Sequence, residues 1–168
     1  MKTSKIIALI VLLVLLDQII KIVIYNYYLD CNFSIIPSLL EFKPVFNNKG
    51  TYFAILLKIN GYVFNAIQAF FQFLLSCLMV VLYIFMKKAG NSTKVFEWFL
   101  IFGQSSLICY FVSILFWEKG VLDFIFLKPY FIFDLKDIYG SCFICLLFVV
   151  MHKYKIKKFS DIRKLVKR

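Results

Sequence analysis

The sequence has little glycine, proline, cysteine and histidine, the residues that commonly form turns, bind metals or take part in catalytic triads. Its 168 residues include 6 glycines, 3 prolines, 5 cysteines and one histidine, His152. We find no glycine-rich phosphate loop, no nucleophile elbow and no Ser/His/Asp set. Most cysteines fall within apolar stretches, where cysteine behaves as a small hydrophobe. The sequence therefore predicts no disulfide framework, no metal site and no cofactor.

Apolar residues make up 62% of the chain and are concentrated in four stretches. Each stretch approaches the roughly 20 apolar residues that a membrane-spanning helix needs. We predict an all-α membrane protein with four transmembrane helices and a single multi-pass membrane domain over residues 1–168. The predicted helices cover about 6–25, 62–86, 95–117 and 138–154.

The net charge of +11 is unevenly distributed. Basic residues cluster before the first helix, between the second and third helices, and in the tail at 155–168. With four helices these places lie on one side of the membrane, which the positive-inside rule identifies as the cytoplasm. We therefore expect both termini to be cytoplasmic and the tail to contact anionic membrane lipids, and we expect no nucleic-acid partner.

The extracytoplasmic loop at 26–61 is predicted to contain a small β-sheet between the first and second helices. Apolar and charged residues alternate from Leu40 to Phe46, as in a half-buried strand. Pro44 would confine that strand to a sheet edge. A turn is predicted at 47–50, and β-type sequence resumes at 51–53.

Ionisable and amide side chains occur inside the predicted helices. Asp17 and Lys21 are four residues apart, so they share a helix face. Charges this deep in a span face protein or water; the pair is either functional or a structural ion pair. Gln68 and Gln72 also share a face and can hydrogen-bond across helices. A proton-linked transporter is a weaker alternative, because the chain lacks repeats and broken-helix glycines.

Two aspartates, Asp123 and Asp137, lie among apolar residues between the third and fourth helices. If they meet in one cavity, they cannot both ionise cheaply and would share one proton. Such a pair can activate water on one side and protonate a peptide carbonyl on the other. Asp134 is an alternative to Asp137 or a supporting partner. The alternative is that these acids only keep a connection hydrated.

Four short stretches follow one another in a fixed order relative to the helices. They are DQIIK at 17–21, NKGTYF at 48–53, VLDFI at 121–125 and FDLKD at 133–137. They are similar to the DQxxK, NxGxxF, VVDFI and FNxAD motifs of lipoprotein signal peptidase (signal peptidase II). The chain thus resembles this family of bacterial membrane aspartyl proteases over nearly its whole length.

The resemblance implies cleavage of bacterial prolipoproteins just before a cysteine that carries diacylglycerol. It implies that Asp123 and Asp137 form the catalytic pair, at the extracytoplasmic side of the cytoplasmic membrane. Asn48, with Gly50, would lie in the substrate-contacting region, and Asp17 and Lys21 would support the catalytic chamber. Globomycin-type cyclic peptides would be expected inhibitors.

The chain departs from the family pattern in two places. The family has a GNxxDR motif in its third helix, whereas the corresponding stretch here is CYFVSI at 109–114. In the FNxAD-like motif, Asp134 replaces asparagine and Lys136 replaces alanine. Lys136 would favour ionisation of Asp137, and Asp134 would oppose it. The departures leave open an inactive relative that binds lipidated peptides without cutting them.

Overall fold

The computed structural model describes residues 1–47, 61–88 and 93–153. Asn48 and Gly50, the predicted strand at 51–53 and the basic tail at 155–168 lie outside the described residues.

The described residues contain four helices that are long and apolar enough to cross a membrane. They are α1 (Thr3–Val23), α2 (Gly61–Lys88), α3 (Lys94–Phe116) and α4 (Leu135–Lys153). Even the shortest, α4, has 19 residues. At about 1.5 Å per residue it spans close to the roughly 30 Å of a bilayer's hydrocarbon core. The predicted fold class is confirmed.

Helix α3 is the centre of the bundle. It packs against α1, α2 and α4, and it has the largest share of buried side chains among the four helices. Gln104 of α3 donates to the Ser76 carbonyl (3.1 Å), and the Ser76 hydroxyl donates back to the Gln104 side chain (2.7 Å), which fastens α2 to α3. The other helices expose large apolar side chains, as expected of surfaces that face lipid.

A four-stranded antiparallel sheet covers one end of the bundle. Its strands, in spatial order, are β1 (Phe33–Ile36), β2 (Leu40–Asn47), β3 (Val121–Leu127) and β4 (Phe131–Phe133). The first two follow α1, and the other two lie between α3 and α4. Of these strands the sequence predicted only β2, and its other predicted strand, at 51–53, lies outside the described residues. Strand β1 was not predicted, and β3 and β4 were missed because their apolar run contains no clear alternation.

Pro44 does not lie in an edge strand, contrary to the prediction, because β2 pairs with both β1 and β3. The proline is accommodated by a bulge: Phe42 pairs with Ile125 and Val45 with Asp123, so two residues of β2 face one of β3. Beyond Phe42, β2 also has no pairing with β1. The missing proline N–H therefore removes no ladder hydrogen bond on that side.

The sheet is anchored on a small apolar cluster formed by Ile24, Leu122 and Phe124. Ile24 begins a π-helical turn, Ile24–Tyr28, that extends α1 toward the sheet. Leu122 and Phe124 flank Asp123 on β3, and successive side chains of a strand point to opposite faces. Packing of these two side chains on the cluster therefore turns Asp123 to the other face of the sheet.

Candidate active site

Asp123 reaches the site from the middle of β3. Its side chain is only 8% exposed. One carboxylate oxygen accepts a hydrogen bond from the Asn47 amide (3.4 Å) and the other from the Lys136 ammonium (3.1 Å). Burial raises the pKa of the Asp123 carboxyl above its ordinary value, because burial disfavours the charged form, and Lys136 offsets only part of this effect.

Asp137 reaches the site from the first turn of α4. The helix begins at Leu135, three residues before the predicted Ile138. The Asp137 N–H donates to Asp134 Oδ1 (3.3 Å), and the Asp134 N–H donates to Asp137 Oδ2 (3.1 Å). This reciprocal pair resembles a capping box, which satisfies backbone donors at a helix start. It holds the Asp137 carboxylate in place while its side chain remains 46% exposed.

Lys136 lies among three carboxylates. Its Nζ is 2.9 Å from Asp134 Oδ1, 3.1 Å from Asp123 Oδ1 and 3.4 Å from Asp137 Oδ2. Because an ammonium has three donors, one is available for each carboxylate. Oxygen atoms of the three acids lie within 4.8 Å of one another, close enough to hold a cation. A metal ion would have to displace the ammonium that already contacts all three.

Asp134 connects this group to α1. Its second oxygen is 2.7 Å from Lys21 Nζ, and both side chains are fully buried. Two lysines therefore act on Asp134. Burial by itself would raise the pKa of this carboxyl, but the ammonium groups of Lys136 and Lys21 outweigh it and hold the pKa below its ordinary value.

Lys21 and Asp17 form the deepest part of the network. Lys21 Nζ donates to Asp17 Oδ2 (2.9 Å) and to the Ser113 hydroxyl of α3 (3.0 Å). The Gln18 amide also donates to Asp17 (2.7 Å) and accepts from the Trp117 indole N–H (3.2 Å). Buried charges require partners, and this network supplies them.

A cavity of about 560 Å³ opens in front of Asp123 and Asp137. Side chains from α2, α3, α4 and the sheet line it. Gln68 and Gln72 project from α2 and Tyr110 from α3; their Oε1 and hydroxyl oxygens are buried and have no hydrogen-bond partner among the described residues. The lining of the cavity therefore includes two amide side chains and a phenol in addition to the two acids.

The sequence model of the family described as signal peptidase (SPase) II matches residues 9–153. The match includes all the acids and lysines described above.

The chain belongs to the signal peptidase II family.

Membership makes the chain a peptidase with a role in lipoprotein processing, and four apolar helices make it a multi-pass membrane protein. A comparison with curated protein sequences finds no match.

Two solved structures share the fold. One, described as a bacterial membrane enzyme solved by the in meso method at 1.9 Å, is 18% identical with a TM-score of 0.67, over 89% of this chain and 94% of that chain. A second with the same description, at 2.3 Å, is 18% identical with a TM-score of 0.62, over 94% of each chain. At this identity the likeness concerns the fold.

The structure brings the carboxylates of Asp123, Asp134 and Asp137 together, and the catalytic role of Asp123 and Asp137 stays a prediction. Asp17 and Lys21 do not line the cavity. They are connected to the acids through the ion pair between Lys21 and Asp134. Asn48 and Gly50 lie outside the described residues.

Sequence reasoning did not assign three residues to the site. Asn47 was read only as a turn residue, yet its amide contacts Asp123. Gln68 and Gln72 were expected to hydrogen-bond across helices, but they line the cavity. Their shared helix face was the available signal, and only the packing of α2 shows where that face points.

The stretch that replaces the family's GNxxDR motif lies beside the same cavity. Tyr110 and Ile114 line it, and Ser113 contacts Lys21. Ile114 stands where the family has arginine, so α3 brings no cation to the cavity. Among the described residues, the cation that lines the cavity comes from α4, as Lys136.

Proposed function

We propose that this protein is an aspartic endopeptidase that removes signal peptides from diacylglyceryl-modified bacterial prolipoproteins. The cut would lie just before the lipid-bearing cysteine. The single observation that carries the proposal is the geometry of Asp123 and Asp137, whose carboxylate oxygens lie within 4.8 Å of each other in a cavity. Membership of the signal peptidase II family supports the same substrate class.

The mechanism follows from one proton shared by two carboxyl groups. The ionised member of the pair takes a proton from water, and the resulting hydroxide bonds to the carbonyl carbon of the residue before the cysteine. The protonated member gives its proton to the carbonyl oxygen. The acid that took the water proton then gives it to the cysteine nitrogen as the C–N bond of the tetrahedral intermediate breaks, and the other carboxylate takes a proton back from a hydroxyl of the intermediate. The products are a signal peptide carboxylic acid and a free amino group on the lipidated cysteine.

The lining of the cavity suits an unwound peptide. A helical peptide has its N–H groups paired internally, but a peptide opened for cleavage has lost these partners and has little water to replace them at the membrane. Gln68 and Gln72 are one helical turn apart, about 6 Å along α2. This distance is close to the roughly 6.6 Å between alternate residues of an extended chain. The two amide groups can therefore pair with alternate residues of the substrate main chain.

The proposed orientation places the cavity at the extracytoplasmic side of the bacterial cytoplasmic membrane. Lys2, Lys5, Lys87, Lys88 and Lys94 are all at the end of the bundle opposite the sheet. By the positive-inside rule that end, with both termini, is cytoplasmic. Membrane lipids would then surround the helices, and the substrate's diacylglycerol would remain among them.

The experiment is cleavage of a diacylglyceryl-modified lipobox peptide by the purified protein in lipid. We expect Asp123→Asn and Asp137→Asn each to lower kcat by about a thousandfold or more, because neither amide can take or give the required proton. Asp30→Asn changes an acid that lies outside the site and should leave the rate unchanged. Robust cleavage by either active-site variant would refute the catalytic assignment. Inhibition of the wild type by a globomycin-type cyclic peptide would support the substrate assignment.

A second candidate is a signal peptidase II-like protein that binds lipidated peptides without cutting them. The observation that favours it is the replacement of the family's third-helix motif, which leaves Ile114 at the cavity. Binding of the lipidated peptide without any product, unchanged by Asp→Asn substitution, would support this candidate and remove the first.

A further inference from the structure

The Lys136 ammonium connects three separate parts of the site. Asp123 lies on β3, Asp134 precedes α4 and Asp137 lies in its first turn. The lysine side chain is 11% exposed, so bulk water does not solvate its charge. Holding an ammonium here requires nearby negative charge, and the three carboxylates provide it.

The charged groups around Lys136 can be counted element by element. Helix α1 contributes Lys21 and Asp17, which reach the group through Asp134. The sheet contributes Asp123, and α4 contributes Asp137. From α2 and α3, the cavity receives only neutral side chains among the described residues.

Removal of Lys136 would leave the two acids of the pair facing each other with no cation from the described part of the chain in direct contact. Lys21 contacts Asp134 and Asp17, and neither of its ion pairs involves Asp123 or Asp137. A like charge disfavours ionisation, whereas an opposite charge within about 4–6 Å favours it, by about 1–3 pKa units. Lys136 is therefore the one described cation that directly permits the pair to lose its first proton.

We propose that Lys136 is a positioning residue for the hydrolysis, which holds Asp123 and Asp137 in register and keeps the pair singly protonated at neutral pH. This inference rests on the proposed function. On this proposal the positive charge beside the acids comes from the first turn of α4, whereas the α3 stretch at 109–114 brings none to the cavity. The proposal also explains why an additional acid, Asp134, is tolerated beside the pair, since Asp134 contacts both lysines.

The proposal predicts the pH dependence of the reaction. A carboxyl group must be ionised to take a proton from water, so activity falls as the pH drops through the first apparent pKa of the pair. Burial already raises the pKa of Asp123, and Lys136 opposes this rise. Loss of the ammonium should therefore move the acid limb of the kcat/KM profile to higher pH.

The test compares Lys136→Met, Lys136→Arg and the wild type on the lipidated lipobox peptide across the pH range. Methionine keeps much of the side-chain length without the charge, and arginine keeps the charge. We expect the acid limb to rise by about one unit or more in Lys136→Met, which is a tenfold or larger loss below the wild-type limb. In Lys136→Arg the limb should remain near its wild-type position. A loss of rate that is the same at every pH, with the acid limb of the profile unchanged, would overturn the proposal. A faster Lys136→Met enzyme would also overturn it, because the lysine would then inhibit the two acids.

A second readout separates failure of this proposal from failure of the proposed function. Infrared difference spectroscopy follows the protonated carboxyl C=O band during a pH titration, with Asp123→Asn used to identify the contribution of the pair. If the wild type cuts no peptide, the proposed function fails, yet the titration still reports whether Lys136→Met moves the band to higher pH. A band that does not move in Lys136→Met would overturn the role of Lys136 whatever the activity. Because the titration needs no substrate, it also tests a variant that is folded but inactive.

Discussion

The clearest test of the buried network is substitution of Lys21. Lys21→Met removes an ammonium that lies 2.9 Å from Asp17 and 2.7 Å from Asp134, and all three side chains are fully buried. Asp134 keeps Lys136 as a partner, whereas Asp17 keeps neutral partners such as the Gln18 amide and has no other ion pair among the described residues. The variant therefore leaves an uncompensated carboxylate in the interior.

The expected size of the effect follows from this burial. Breaking a buried ion pair by removing one partner costs about 3–5 kcal/mol, whereas an exposed pair contributes about 0–1 kcal/mol. For a chain of this size each kcal/mol corresponds to about 2–4 °C in Tm. We therefore expect Lys21→Met to lower Tm by about 6–20 °C, measured by circular dichroism in one detergent.

Two further variants make the Lys21 measurement decisive. Lys5→Met changes an exposed lysine of the same helix and should alter Tm by little. The double variant Asp17→Asn/Lys21→Met removes the stranded carboxylate together with the ammonium, so its cost should be smaller than the sum of the single costs. A Lys21→Met protein as stable as Lys5→Met would refute the reasoning, and strictly additive costs would show that Asp17 and Lys21 do not depend on each other.

Two remaining predictions concern the cavity and the helix packing. The double variant Gln68→Leu/Gln72→Leu should raise KM for the lipobox peptide about tenfold or more with little change in kcat, because it removes two hydrogen-bond partners of the substrate main chain at about 0.5–1.5 kcal/mol each. The control is Gln104→Leu, which breaks the α2–α3 contact away from the cavity and should lower Tm without this change in KM. An unchanged KM in the double variant would exclude the substrate contact. Gly103→Ala should destabilise the protein by about 1–3 kcal/mol, because its Cβ would lie 2.7 Å from a phenylalanine ring of α4. Gly140→Ala is the control, since its Cβ would meet only a serine hydroxyl at 3.3 Å, and equal thermal stability of the two alanine variants would contradict the close-packing argument.

Features that depend on local composition could be predicted from the sequence. The four spans follow from apolar runs of sufficient length, and the family follows from motifs whose order does not depend on folding. The spacing of Asp17 and Lys21 places both on one helix face, and the structure pairs them. The half-buried strand around Leu40–Phe46 was also visible, because alternation is a local signal.

Features that depend on contacts between distant elements required the tertiary structure. The sheet joins two connections that are about 80 residues apart in sequence, since Phe46 pairs with Leu122, and strand pairing is selected by packing that no local pattern records. The position of Lys136 among three carboxylates depends on where β3 meets the start of α4. Asp134 became the link between both lysines only because α1 packs behind it. The sequence by itself determined which groups are available for chemistry, and the tertiary structure decided which of them face one another, because a buried charge is stabilised only by partners that the fold brings within contact.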